Sequence, residues 1–171
     1  YMNLPSTATY KGLSPHAPGS LGGYVDADLS NIGNGYEISD GTYASWCFDY
    51  DETIYLNTAY DMNVYSSLYP NLMPTYLASK EWDKANWIMN HLDWYDGYQW
   101  NDIQGALWLL DGWGGTPPSG SGMTGITPTA QQMKNDADSY GDGYMPLPGG
   151  WAAVIFVKDE QIQTVFIVVD P

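Results

Sequence analysis

The sequence predicts an α+β domain: a β-sandwich or barrel with a helical subdomain inserted into it. Three observations predict it. Short alternating apolar runs punctuated by Asn-Gly and Asp-Gly fill residues 22–60. Helical periodicity replaces them between about 79 and 140. Two strongly apolar runs, 151–157 and 161–169, then close the chain around a short turn at Lys158-Asp159-Glu160.

Taken in order, residues 1–21 carry three prolines and little periodicity, and read as an extended N-terminal arm ahead of a single domain over 22–171. Thr7-Ala8-Thr9-Tyr10 is the Pro-free, β-prone part of that arm. It suits either the first strand of the domain's own sheet or a strand donated to a neighbouring copy. The runs GGYVDADLSNI, YEISDGTYASWCFDY and TIYLNTAY read as strands, with Asn34-Gly35 and Asp40-Gly41 as turns. Ser79 is placed to cap a helix whose apolar stripe is Trp82, Ala85, Ile88, Met89 and Leu92. Asn101 or Asp102 is placed to cap a second helix that Gly112 stops. A Gly/Pro/Ser loop follows, and Thr127-Pro128 opens a third helix through Tyr140.

Composition narrows the function. The 171 residues hold 20 acidic side chains against five lysines and no arginine, a net charge of −15. Phosphate recognition needs clustered cations, so nucleic acid and anionic lipid surfaces are excluded as partners. No apolar run reaches the roughly 18 residues of a membrane-spanning helix. The chain begins at Tyr1 without a basic-apolar leader and reads as a processed product, and its Tyr, Trp, Gly, Thr and Asn richness resembles secreted or surface-displayed β proteins.

One cysteine, Cys47, excludes an internal disulfide, and with only two histidines a zinc site would need carboxylates. His16 and His91 lie in no motif and read as structural or exposed. Asp136, Asp138 and Asp142 form an oxygen-rich run, weak candidates for calcium, the one cofactor left open. They do not match the twelve-residue calcium loop and read first as a solvated acidic face. No acid-base pair or cofactor motif points to a turnover enzyme, so none is expected.

Two short motifs are more specific. Trp46-Cys47-Phe48 sits on a predicted strand, and Ile103-Gln104-Gly105-Ala106-Leu107-Trp108 opens a predicted helix with a glutamine on its apolar stripe. Together they resemble the thioester domains of surface adhesins from Gram-positive bacteria, although Tyr, Phe or Leu is more usual than Trp before the cysteine. Trp87-Ile88-Met89-Asn90 and the Gly143-Tyr144-Met145-Pro146 segment before the closing hairpin extend the resemblance over residues 22–169.

The resemblance implies that Cys47 attacks the Gln104 carboxamide, expels ammonia and leaves an internal thioester, with Trp46, Phe48 and Trp108 excluding water from it. It implies an extracellular surface protein that binds covalently to amines of host or neighbouring-cell proteins, or that assembles with copies of itself into a filament through the N-terminal arm. The 23 Trp and Tyr residues support a second reading, a non-covalent carbohydrate- or ligand-binding surface module.

Overall fold

The computed structural model describes residues 2–170. Six antiparallel strands close into a barrel in the order β1-β2-β3-β6-β5-β4. They span Thr7–Gly12, Val25–Ser30, Gly41–Cys47, Ala59–Ser66, Ala152–Val157 and Val165–Val169. Between β4 and β5 in sequence lie four helices: α1 (Thr75–Ala78), α2 (Trp82–Asn90), α3 (Trp100–Leu110) and α4 (Pro128–Tyr140). Short 3₁₀ turns at Pro70–Leu72 and Leu92–Trp94 supplement them. The architecture is therefore a barrel and not a sandwich. The helices share one continuous core with it.

Residues 7–12 correct the reading of a detached arm. β1 pairs with β2 on one side (Tyr10 opposite Leu29) and with β4 on the other (Tyr10 opposite Tyr60). Ala8, Tyr10 and Gly12 alternate inward, as a strand with one buried face requires. Of the two roles open to Thr7-Ala8-Thr9-Tyr10, the own-sheet role is the one present. Closure leaves β1 no free edge to offer a second copy.

Other boundaries moved for local reasons. The run Thr53–Tyr60 is mostly irregular, with a turn at Leu56-Asn57 and a bridge from Thr53 to Ile162, and β4 begins only at Ala59. Ser79 ends α1 and does not cap α2, which starts at Trp82 behind Glu81 with no side-chain cap. Gln99, not Asn101 or Asp102, caps α3, and the Asp102 carboxylate accepts from the Gln99 backbone N–H at 2.8 Å. Gly112, at φ 96°, follows α3's end as expected. Thr127 caps α4 by accepting from the Ala130 N–H.

β5 is buried at every residue because the barrel interior covers one face and α2 the other, which explains its unbroken apolar sequence. α3 lies against α4 and against β3. Its Gly105 permits that approach: a Cβ there would lie 3.2 Å from the Ala130 Cβ and 3.4 Å from the Met123 Cε. The packing thereby presses the first turns of α3 onto the end of β3.

Candidate functional site

Cys47 ends β3, where the preceding Trp46 is paired with Phe166 and Cys47 itself with Val165 of β6. Gln104 sits in the second turn of α3, fully buried. The two meet. The Cys47 N–H donates to Gln104 Oε1 at 3.0 Å, and Gln104 Nε2 donates to the Cys47 carbonyl at 2.7 Å. Both ends of the carboxamide are thus clamped on the backbone of the residue that carries the thiol, across 57 positions of sequence.

A second glutamine makes the same clamp two residues along the chain. Gln163 Oε1 accepts from the Asp49 N–H at 2.7 Å, while its Nε2 donates to the carbonyls of Asp49 and Glu52. Amide-on-backbone clamping is therefore a structural device that this fold uses twice to satisfy buried groups of an irregular strand end. What distinguishes Cys47–Gln104 is the nucleophilic side chain on the clamped residue.

The thiol is free and buried. Burial first, and then the Asp49 carboxylate, push its pKa far above the ordinary thiol range. Cys47 accordingly stays neutral until something draws its proton. Asp49 is itself held by Lys80, whose Nζ lies 2.7 Å from Asp49 and 2.9 Å from Asp111 and sits 5.7 Å from the centre of the Phe48 ring. Burial works against the Lys80 charge, but hydrogen bonds to Asp49 and Asp111 outweigh it and hold the ammonium above its ordinary range. Asp111 is raised as well, because its burial exceeds what Lys80 returns.

Of the expected aromatic shell, Trp46, Phe48 and Trp108 are all buried. Phe48 packs on Trp82 at 4.4 Å between centroids. Trp108, four residues beyond Gln104, packs edge-on to Tyr24 and to Trp113. Its indole Nε1 has no hydrogen-bond partner; among the described residues only the Thr164 hydroxyl shares that condition while buried. Cys47 and Trp108 line one cleft of about 250 Å³, shared with His16, Tyr24, Tyr50 and Glu52.

On that cleft lie His16, which reads from the sequence as structural or exposed, and Glu52, which reads as one of a run of solvated acids. Glu52 follows Cys47 by five residues, a signal available but shared with Asp49 and Asp51; His16 offers none, because its position depends on how 13–23 folds back over β2 and β3. His91 lies elsewhere, with Nδ1 2.6 Å from the Trp87 carbonyl and its ring stacked on Trp87 at 4.2 Å.

The calcium candidates are occupied by protein partners. Asp136 accepts from the Tyr95 hydroxyl and from Gln132. Asp138 is paired with Lys84 and Lys134, and Asp142 lies 3.5 Å from Lys84. Among the described residues no group of three or more His, Cys, Asp or Glu is arranged to hold a metal ion, and no helix is long and apolar enough to cross a membrane.

No family model matches the chain, and neither does any curated protein. Solved structures do. The N-terminal thioester domain of a surface protein from Clostridium perfringens is 11% identical, with a TM-score of 0.47 over 95% of this chain and 99% of that one. The N-terminal thioester domain of the fibronectin-binding protein SfbI from Streptococcus pyogenes is 14% identical, with a TM-score of 0.45 over 95% and 92%. Both are thioester domains, the family that the two sequence motifs resemble.

Proposed function

We propose that this chain is an extracellular surface domain in which Cys47 and Gln104 close an internal thioester that captures amine-bearing partners covalently. The observation that carries the reading is the clamp: a fully buried carboxamide fixed by two hydrogen bonds to the backbone of the molecule's only cysteine. That arrangement holds the carboxamide against the residue that carries the thiol, the proximity such a reaction exploits. Sγ adds to the Gln104 Cδ, the carbonyl π electrons move to Oε1, and the Cys47 N–H already donates to that oxygen as charge develops. Collapse expels the amide nitrogen as ammonia, which takes the thiol proton, and leaves the Sγ–C(=O) bond.

A partner's primary amine then adds to the same carbon, Cys47 leaves as the thiol, and a permanent amide remains on Gln104. This is a single-use crosslink and not turnover, so the protein is read as no enzyme. The few lysines of the chain fit a domain that must not consume its own bond; three of the five are engaged with carboxylates. Incubating purified protein with biotinylated cadaverine tests the reading. Labelling that appears on Gln104 and disappears in Cys47→Ala supports it, and equal labelling in both contradicts it.

A second reading, the non-covalent ligand module, has its own observation. Trp94 and Tyr140 are 54% and 62% exposed and pack against Trp87 and His91 at the end of α2, a ring cluster open to solvent. Glycan binding that survives Cys47→Ala and is lost in Trp94→Ala would favour it.

A further inference from the structure

Three polar groups on the Cys47 cleft have no protein partner. The Trp108 indole N–H is buried and unpaired. The Glu52 carboxylate is half-buried, and only its backbone carbonyl is bonded. The half-buried His16 imidazole makes only an edge contact with Tyr24 at 5.5 Å between ring centres. An anion, a donor and a proton acceptor thus converge on a small, mostly apolar cleft, the composition of a ligand site. Its volume of about 250 Å³ falls below the roughly 300–1,000 Å³ of drug-sized sites and suits a side chain or a small aliphatic molecule. Tyr24 and Tyr50 supply apolar wall for an alkyl stem, and Cys47 lies on the same lining. The neighbouring acid, Asp49, is already committed to Lys80 and to the Thr164 N–H, which leaves Glu52 as the carboxylate free to receive a cation.

We propose that this cleft is the port of the Cys47–Gln104 pair, in which Glu52 docks a primary alkylammonium and His16 takes its proton as the amine attacks. The inference rests on the thioester reading. The His16 imidazole accepts one proton from R–NH₃⁺. The freed lone pair adds to the thioester carbon, and the Cys47 N–H faces the developing oxyanion. The C–S bond then breaks. Burial and Asp49 disfavour the Cys47 thiolate, so sulfur leaves well only if it is protonated as it departs. The imidazolium on the cleft supplies that proton, and the second proton lost by nitrogen passes to solvent. Ammonium plus thioester gives amide, thiol and one proton, in balance.

The test follows the conversion of intact protein by mass spectrometry with two probes: propylamine, a cation at neutral pH, and hydroxylamine, which is uncharged there. Glu52→Gln is expected to slow propylamine about fivefold, the worth of a partly exposed ion pair, and to leave hydroxylamine at the wild-type rate. His16→Ala is expected to slow propylamine on the order of 100-fold, with added imidazole restoring it. Wild-type rates in both variants, equal slowing of both probes by Glu52→Gln, or a His16→Ala defect that imidazole does not relieve would overturn the assignment while leaving the thioester intact. Wild-type protein that shows neither ammonia loss nor any amine adduct would overturn the thioester reading and this inference with it.

Discussion

Opening the Cys47–Gln104 bond with methylamine should lower the melting temperature by a predictable amount. A thioester at this pair closes a loop of 57 residues. In the chain-entropy treatment used for disulfides, a crosslink of that span removes unfolded-state freedom worth about 4 kcal/mol. For a domain of this size each kcal/mol moves the midpoint by about 2–4 °C, so the crosslink accounts for roughly 8–16 °C. Methylamine is the informative perturbation because the product on Gln104 is an N-methyl amide. It keeps the carbonyl that accepts from the Cys47 N–H, but in the trans amide the methyl group takes the position of the N–H that donates to the Cys47 carbonyl in the unlinked pair. One hydrogen bond, worth about 1 kcal/mol, is therefore lost together with the covalent constraint and adds about 2–4 °C to the expected fall. Calorimetry on matched treated and untreated samples, with the adduct verified by mass, reads the difference. A complete adduct whose midpoint stays within about 2 °C of the untreated protein would refute the loop-closure reasoning.

Three further outcomes follow from the surroundings of the site. Lys80→Met leaves Asp49 and Asp111 buried without their shared cation and should cost about 2–4 kcal/mol in denaturant unfolding, less at acid pH where Asp111, raised by burial, takes up its proton. Thr127→Ala removes the cap that accepts from the Ala130 N–H and should cost about 1 kcal/mol, read in the same assay. Burial pushes the Tyr10, Tyr24 and Tyr95 phenols above the ordinary value of 10.0. A group raised in the folded state contributes stability that is full below its unfolded pKa and lost as pH rises. Stability should therefore hold to about pH 10 and fall beyond it. Tyrosinate absorbance appearing together with unfolding checks this; complete tyrosine ionisation in still-folded protein would contradict it.

How far the sequence disclosed this fold depended on whether its signals were local. The closing strands were legible because β5 is covered on both faces and β6 is buried for most of its length, which forces apolar runs. α4 was legible from Thr127-Pro128, whose capping chemistry is complete within four residues. β1 was ambiguous between its own sheet and a neighbour's, since the partners Leu29 and Tyr60 that decide the matter lie far along the chain. The α2 start was misplaced because Ser79 finishes a separate short helix, and the Gln99 cap was missed because Asn101 and Asp102 are better cap residues on propensity alone. Cys47 and Gln104 could be paired through a resemblance of motifs, but their contact is made by α3 packing on β3, which no local pattern encodes. His16, Glu52 and Gln163 stayed hidden for the same reason: the cleft and the second clamp exist only once the barrel has closed.

The intact mass of the untreated protein tests the central claim most directly. A closed thioester makes the molecule lighter than its sequence by one ammonia. That deficit is predicted in the wild type and should be absent from Cys47→Ala and from Gln104→Ala. A wild-type mass equal to the full sequence, with Cys47 open to alkylation after mild unfolding, would contradict it.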